Sequence, residues 1–434
     1  MATAHARPRL VAGAIAVTGA LALAACGGTA SGGAGGGAGS SEFSFVGLTS
    51  NQTPAKTLTA LSTQTCADAN TAAPLKADTV EQTSQDQKLQ LLAGQDALPT
   101  AMIAPNTPSL VGQLIKNKQL VDLTKELDAA GLSDAVLPAA ASTIEKLYGQ
   151  ENLYALPNEF NIEGIWYNKK IFADNGIEVP GTWDELVAAT AKLKSAGVQP
   201  ITADGKDGWP ITRWVGAYLF RALGPDALQK VADGSAKLTD PDYVKAADAV
   251  SALGTAGAFG KNVASNDYNG TINDFLTGKS AMIYMGSWML SNINDTSQNK
   301  IGEENIGFMP FPAVTGGAGS IDQIPANVGQ PILLSQKSYG TNTAAWLKCI
   351  VTTYGDEVLE TSGVISGFKL SEKHDLPPVT QVVQDQVSGA KSSVLWFEAL
   401  FSAQATTVSQ QQGGLLGRGD LSGADFMSKV QAAL

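Results

Sequence analysis

The chain has 434 residues, of which 44% are hydrophobic and 16% are charged, and its formal net charge at pH 7 is −11. This length is too great for one small hydrophobic core, so we expect two lobes. The acidic balance, without any run of lysine and arginine, argues against nucleic acid as a partner.

The first residues are typical of an export signal. A weakly basic stretch that ends at Arg9 precedes an apolar run from Leu10 to Ala25, which is too short for an ordinary membrane-spanning helix. The run closes with the tetrapeptide LAAC, which resembles a bacterial lipobox and ends at Cys26. We therefore expect residues 1–25 to be a lipoprotein signal peptide and Cys26 to be lipidated, with a plain secretory signal as the alternative.

The next segment contains no side chain that could pack in a core. Residues 27–41 consist only of glycine, alanine, serine and threonine. We predict that residues 26–42 are the lipidated cysteine and a flexible Gly/Ser tether. Such a tether would hold the protein at the extracellular face of the cell membrane through its lipid anchor.

From residue 43 onward the pattern is that of an α/β protein. Short apolar runs predict buried strands at Ser44–Leu48, Ala101–Ala104, Ala281–Met285 and Pro331–Leu334. Segments with helical periodicity separate these runs, which favours a parallel or mixed sheet. One helix start is clear, because Thr182 can cap a helix and Glu185 can return the bond; this helix should continue to Gly197.

Catalytic and metal motifs are missing from the sequence. There is no HExxH, CxxC or GxSxG, and once the signal peptide is removed His374 is the only histidine. The GKS tripeptide at residues 278–280 lacks the glycine that a phosphate loop needs five positions earlier, where Asn273 stands. We therefore expect no metal site and no cofactor.

Aromatic and amide side chains near apparent turns suggest a different kind of site. Trp209 follows GKDG, Trp288 follows a Gly-Ser pair, Trp396 stands beside Phe397, and the polar string NEFN ends at Asn161. Such a mixture suits carbohydrate, because a sugar ring stacks on an indole while its hydroxyls pair with amides and carboxylates. Each tryptophan could instead belong to the core.

Two cysteines remain beyond the expected lipidation site. Cys66 and Cys349 form an even pair that could be bridged in an oxidising compartment. Two separate buried thiols are the alternative.

Three longer stretches resemble one protein family. They are LYALPNEFNIEGIWYNKKIFADNGIEVPGTWDELVAATAKLKSAGVQPI, GKSAMIYMGSWM and IGFMPFPAV, in this order along the chain. From about residue 43 to the C-terminus the sequence is similar to the extracellular solute-binding proteins of carbohydrate ABC importers, the family that includes maltose-binding protein.

The resemblance implies a periplasmic-binding-protein-like fold of two discontinuous α/β lobes, joined by hinge strands with a ligand cleft between them. Lobe 1 would comprise residues 43–157 and 329–368, and lobe 2 would comprise residues 158–328 and 369–434. The chain would cross between the lobes near residues 156–160, 327–331 and 366–371. The segment around Cys66 and the helix around Cys349 would both belong to lobe 1, which allows a bridge between them.

The resemblance also implies a set of ligand-binding residues at strand ends and turns. We expect Trp288 to stack on a sugar ring from a turn that includes Ser287. The same resemblance points to Trp209, Asp207, Asn161, Trp396 and Asn106. Glu159, Gln52 and Glu81 are further expected contacts that no motif of the family carries over.

The implied function is capture of a sugar or oligosaccharide and its delivery to the permease subunits of an ABC transporter. We expect a monomer that is not an enzyme. One alternative is a binder of a peptide or amino acid, which would normally present a charged clamp. The other is a surface glycoside hydrolase, for which Glu159 and Asp207 could supply the acid pair.

Overall fold

The computed structural model describes residues 37–434, except Ser50, Asn106, Lys391 and Ser392 and the side chains of Gln82, Thr83 and Ala403. The expected signal peptide, the lipidation site Cys26, the first part of the expected tether and the candidate ligand residue Asn106 lie outside the described residues.

The strands of the described chain are short and mostly buried. In chain order they are β1 Phe43–Leu48, β2 Leu75–Val80, β3 Ala101–Ile103, β4 Asn161–Asn168, β5 Gln199–Thr202, β6 Ser280–Gly286, β7 Ile306–Met309, β8 Ile324–Asn327, β9 Ile332–Leu334 and β10 Ser393–Val394. The four strands predicted from apolar runs are confirmed to within one residue at each end.

Helices connect and cover these strands. They are α1 Thr53–Thr63, α2 Ala67–Ala72, α3 Gln82–Gly94, α4 Pro108–Lys116, α5 Leu123–Ala130, α6 Pro138–Tyr148, α7 Lys169–Asp174, α8 Trp183–Ser195, α9 Trp209–Leu223, α10 Ala227–Ala232, α11 Pro241–Thr255, α12 Tyr268–Leu276, α13 Leu290–Asn294, α14 Thr341–Ser362, α15 Pro378–Gly389, α16 Ala403–Arg418 and α17 Gly423–Gln431.

The predicted helix start at Thr182 is confirmed. The Thr182 hydroxyl accepts a hydrogen bond from the backbone N–H of Glu185, whose carboxylate accepts from the backbone N–H of Thr182. This reciprocal capping satisfies donors that the first turn cannot pair internally. The helix ends at Ser195, two residues before the predicted Gly197, which takes a positive φ of 75°.

The strands form two sheets. The first has the order β2-β1-β3-β9, in which β1, β2 and β3 are parallel and β9 is antiparallel to β3. The second has the order β10-β8-β4-β6-β5, and β7 also pairs with β4. Strand β4 is antiparallel to β6, β7 and β8, whereas β5 is parallel to β6 and β10 is parallel to β8. Both sheets are therefore mixed, and the fold is a two-lobe α/β fold as predicted.

Two hydrophobic clusters hold the helices against the sheets. One surrounds the first sheet, where Phe43 stacks on Trp346 with ring centroids 4.7 Å apart, and it continues along one face of the second sheet to Trp166. The other covers the opposite face of the second sheet, where Trp214 and Phe397 are fully buried.

Three segments of the chain run side by side between the sheets. The backbone of Leu156 pairs with that of Ile332, and the N–H of Phe160 donates to the carbonyl of Ile365 at 2.8 Å. The N–H of Gly367 donates to the carbonyl of Pro157 at 2.8 Å. These bonds hold together three segments that connect the two sheets, near residues 156–160, 327–332 and 365–371, and we refer to these segments as the crossings.

A disulfide joins Cys66 and Cys349, whose Cα atoms lie 5.7 Å apart although the residues are separated by 283 positions. Cys66 directly precedes α2, and Cys349 lies on α14. The bridge therefore attaches the long helix α14 to the start of helix α2, which also packs against the first sheet.

Candidate functional site

The second sheet collects polar and aromatic side chains along one edge. Because β4 is antiparallel to β6 and β8, its first residue, Asn161, lies at the same edge as their last residues, Gly286 and Asn327. The segments that follow β5 and β10 leave from this edge too and carry Trp209 and Trp396. Ligands of open α/β sheets bind at such strand ends.

The first sheet turns a corresponding edge toward the crossings. Leu156 pairs with Ile332, which in turn pairs with the last residue of β3, Ile103. Just after β1, the Asn51 amide donates to Glu159 Oε1 at 2.7 Å. The strand-end edges of both sheets therefore meet at the crossing that contains Glu159, and the space between them is the candidate cleft.

Burial separates the tryptophans into two groups. Trp166, Trp183, Trp214 and Trp346 are buried in the core, whereas Trp209, Trp288 and Trp396 are only partly buried and lie at the strand-end edge. The sequence analysis named these last three as ligand-binding candidates, and the structure brings them to one side of the second sheet.

Trp288 and Trp209 form a continuous aromatic surface with Tyr268. The centroids of the two indoles lie 6.0 Å apart, and the Trp209 and Tyr268 centroids lie 6.3 Å apart. A Cβ atom on Gly286 would lie 1.9 Å from the Trp288 ring, so only glycine leaves room for this orientation of the indole.

Arg213 lies between two of the aromatic rings. Its Cζ atom is 5.5 Å from the Trp209 ring centroid and 5.3 Å from that of Trp396. Its Nε lies 3.3 Å from Glu163 Oε2, and its Nη1 lies 3.6 Å from Glu398 Oε2. Since the side chains of Glu163 and Glu398 are only 1% and 2% exposed, this is a buried group of three charges beneath the aromatic surface.

Amides and a hydroxyl connect the floor of the cleft. The Ser287 hydroxyl donates to Asn161 Oδ1 at 3.3 Å, and the Asn161 amide donates to Asn327 Oδ1 at 3.4 Å. The Asn327 amide then donates to Glu163 Oε1 at 3.2 Å. Ser287 and Asn161 are almost fully buried, so these two candidates lie below the protein surface. There they connect the ends of strands β6, β4 and β8.

Glu159 lies at the crossing with a perturbed carboxyl group. Burial raises the pKa of Glu159, while hydrogen bonds from Asn51 and Asn161 oppose this shift. Its Oε2 lies close to Gly329, where a Cβ atom would come within 2.5 Å of that oxygen. Glu159 is thus held by residues from both sides of the cleft.

A second carboxyl group, that of Asp204, lies in the segment after β5 and was missed by the sequence analysis. Asp204 is fully buried; its Oδ1 accepts from the backbone N–H of Asp207 at 2.8 Å, and its Oδ2 has no hydrogen-bond partner among the described residues. Burial raises the pKa of Asp204 from its ordinary value of 3.8 to about 6. The candidate Asp207 is exposed instead.

Asp204→Asn should make the protein less sensitive to pH. The native carboxyl holds its proton up to about pH 6 whereas the unfolded one releases it near 3.8, so wild-type stability falls as pH rises through this window. Asparagine keeps the oxygen that accepts from Asp207 and avoids the charge. We expect the free energy of unfolding of the variant to exceed that of the wild type by on the order of 1 kcal/mol at pH 8 and to equal it at pH 3.5. Urea unfolding at both pH values measures this; an equal effect at both would contradict it.

The two first-sheet candidates lie away from this group. Gln52 is exposed and lines a surface groove with Lys56, Thr59 and Thr79 along α1. Glu81 is exposed between β2 and α3. The residue of this region that reaches the crossing is Asn51, the neighbour of Gln52.

Five further residues of this edge were not predicted from the sequence, namely Tyr268, Arg213, Glu163, Asn327 and Glu398. Within residues 37–434 as described, no group of histidine, cysteine, aspartate and glutamate side chains could hold a metal ion. None of the described helices is long and apolar enough to cross a membrane.

Comparison with known proteins gives a consistent family match. The family described as "Bacterial extracellular solute-binding protein" matches residues 67–347. A multiple sugar-binding protein of Streptococcus mutans is 27% identical over 185 residues, which are 39% of this chain and 42% of that protein. An alpha-glucosides-binding periplasmic protein of Rhizobium meliloti is 31% identical over 182 residues, 39% of this chain and 38% of that protein. The chain thus matches about two fifths of the length of these relatives.

Solved structures match over nearly their whole length. A chitin oligosaccharide binding protein superposes with a TM-score of 0.73 and 25% identity, covering 90% of this chain and 97% of that one. A probable secreted solute-binding lipoprotein from Streptomyces coelicolor has a TM-score of 0.73 and 17% identity, covering 91% and 98%, and this likeness concerns the fold alone.

Proposed function

This chain belongs to the bacterial extracellular solute-binding proteins, and we propose that it captures a sugar or oligosaccharide between its two lobes and delivers it to an ABC permease in the membrane. The observation that carries this proposal is the partly exposed surface of Trp288, Trp209 and Tyr268 at the strand-end edge of the second sheet. An aromatic face of this kind accepts the C–H face of a sugar ring.

The polar groups around the aromatic surface support a carbohydrate ligand. Sugar hydroxyls both donate and accept, and the edge that carries the rings also carries the partly exposed side chains of Asn327 and Glu159. The names of the related proteins, which refer to multiple sugars, alpha-glucosides and chitin oligosaccharides, favour the same ligand class.

The same edge argues against the two other functions. A peptide or amino acid binder needs a free cation for the ligand's carboxylate, but Arg213 already faces Glu163 and Glu398. A glycoside hydrolase needs two carboxyl groups on opposite sides of one bond, and of the pair considered above Asp207 is exposed while Glu159 is held by Asn51. We therefore infer a binding protein that leaves its ligand intact.

We further propose that ligand capture closes the lobes about the three crossings. Lobe 1 would contain residues 43–157 and 329–368, and lobe 2 would contain residues 158–328 and 369–434. Closure would bring Asn51 and the strand ends of the first sheet onto a ligand that rests on Trp288. The permease would then recognise the closed form.

A thermal-shift screen tests the ligand class. A ligand that binds only the native state raises the melting temperature by mass action, so monosaccharides, oligosaccharides, amino acids and short peptides can be compared directly. We expect one or more saccharides to raise it while all saccharides are recovered unchanged. A shift with amino acids or peptides alone would contradict the proposal, and so would cleavage of a glycan.

Trp288→Ala should weaken saccharide binding by about 1–3 kcal/mol, because it removes a stacking face. Calorimetric titration with the best saccharide of the screen measures the loss. The matched control is Trp183→Phe, which alters a buried ring stacked on Phe311 and should lower the melting temperature without changing affinity. If Trp288→Ala loses stability and keeps its affinity, Trp288 is a core residue.

The protein would work outside the cytoplasm, held by a lipid on Cys26. Cys26→Ser should release it from the cell surface into the medium, because only the lipid and the tether would hold it there. Cell fractionation with an immunoblot measures the release, and the affinity of the released protein should equal that of the wild type. Retention of the variant in the membrane fraction would contradict the anchor.

A further inference from the structure

The cleft edge of the second sheet is rich in carboxyl groups. Five of them lie on or beneath it: Glu159, Glu163, Asp204, Asp207 and Glu398. A ligand that rests on this edge therefore lies close to several acidic groups.

The cations of this edge are already neutralised. Among its described residues, Arg213 pairs with two carboxylates, and its guanidinium lies against the ring faces of Trp209 and Trp396. Lys206 lies 3.7 Å from Asp267, a carboxylate outside the group of five. Neither cation offers an unpaired positive charge to a ligand.

Burial strengthens the effect of these carboxylates. The side chains of Glu163 and Glu398 are 1% and 2% exposed. Asp204 is completely buried, and its Oδ2 has no hydrogen-bond partner in the described part of the chain. Water and salt screen buried charges much less than exposed ones. The negative potential of the group therefore extends to the aromatic surface above it.

We propose that this cleft selects its ligand by charge: it accepts uncharged saccharides and excludes saccharides that carry a carboxylate or a sulfate. This inference rests on the proposed saccharide function and defines its substrate class. Hydroxyl groups can donate to Glu159 and its neighbours at no electrostatic cost, whereas an acidic sugar brings a second negative charge into a poorly screened space. Asp204, Glu163 and Glu398 are then specificity residues that act through the field and do not touch the ligand.

Matched pairs of saccharides test the inference in the wild-type protein. We would titrate glucose with glucuronate, galactose with galacturonate, and cellobiose with cellobiouronate by calorimetry at pH 8 in 50 mM and 500 mM NaCl. In each pair that binds, the uncharged member should bind at least about ten-fold more tightly at low salt. This ratio should fall less than about two-fold at high salt, because salt screens the repulsion of buried carboxylates only weakly.

Asp204→Asn removes one carboxylate without a change of shape, and the same titrations are carried out on this variant. The low-salt ratio should fall about three-fold or more, while affinity for the uncharged saccharide stays within two-fold. Asp174→Asn, a chemically identical change at an exposed residue of α7, is the matched control and should leave the ratio unchanged. The wild-type titrations test the inference even if Asp204→Asn fails to fold.

The outcomes separate this inference from the function on which it rests. A uronate that binds as tightly as its uncharged partner overturns the charge selection and leaves saccharide binding intact. An unchanged ratio in folded Asp204→Asn overturns the role of the buried group. If no saccharide of either class binds and an amino acid or peptide does, both proposals are wrong.

Discussion

Arg213→Ala is expected to lower the free energy of unfolding by about 3–5 kcal/mol, because it leaves two buried carboxylates without their counter-charge. The side chains of Glu163 and Glu398 are 1% and 2% exposed, and the Arg213 side chain is 13% exposed. Urea unfolding at pH 8 measures the change. The variant should also bind saccharide weakly, since the guanidinium fills the space between Trp209 and Trp396.

Two controls show whether charge is the cause. Arg418→Ala removes an exposed arginine that pairs with Asp420 and should cost less than about 1 kcal/mol. Adding Glu163→Gln and Glu398→Gln to Arg213→Ala should recover part of the loss, because the uncompensated charges are then gone. A loss in Arg213→Ala no larger than in Arg418→Ala would show that the three side chains are not a coupled group.

Cys349→Ser should destabilise the protein by about 3–5 kcal/mol. The bridge closes a loop of 283 residues, and in the chain-entropy account a loop of this size restricts the unfolded chain strongly. Thermal and urea unfolding of the oxidised protein measure the loss, and reduction of the wild type should produce a loss of the same size.

The double variant identifies the bridge as the cause. Cys66→Ser with Cys349→Ser should be no less stable than either single variant, because all three lack the same bond. Losses that add up would mean that the two sulfurs stabilise the protein separately. Two free thiols in the oxidised wild type, counted by mass after alkylation, would also contradict the bridge.

Local patterns predicted the framework of the fold well. Apolar runs such as Ala281–Met285 predicted buried strands because they are too short for most helices, and a strand that is buried on both faces is apolar at every position. The capping pair Thr182 and Glu185 predicted a helix start to the residue, because that signal is confined to four positions. Strand pairings such as β3 with β9 depend on contacts between distant segments, and no local pattern contains them.

The candidate site likewise contains residues that a local sequence pattern predicts and residues that only the fold brings together. Trp288 follows a strand and two small residues, so a local signal pointed to it. Tyr268 follows Trp209 by 59 positions and precedes Trp288 by 20, and only the fold brings the three rings together. Arg213 lies on α9, where its sequence context is that of any polar residue in a helix. Its two carboxylate partners come from β4 and from the segment after β10, so no local pattern could predict the group.

Near the turns, the sequence predicted the segments that lie at the strand-end edges more closely than the side chains that point inward. Gln52 was predicted, whereas its neighbour Asn51 contacts Glu159, and Asp207 was predicted, whereas Asp204 is the buried residue. Which of two neighbouring polar residues points inward depends on the backbone of the turn. Here the Asp204 carboxylate accepts from the backbone N–H of Asp207, and Asp204 is buried while Asp207 is exposed.

The order of the strands in the first sheet also determines when that sheet can be completed. Strand β9 pairs with β3, which precedes it by more than 220 positions, and the whole of β4 to β8 is synthesised between them. A nascent chain therefore carries an open, apolar edge on β3 until residues 332–334 emerge. Such long-range pairing slows folding and exposes the intermediate to aggregation. A chain that terminates between β3 and β9 should therefore aggregate more readily than the full-length protein.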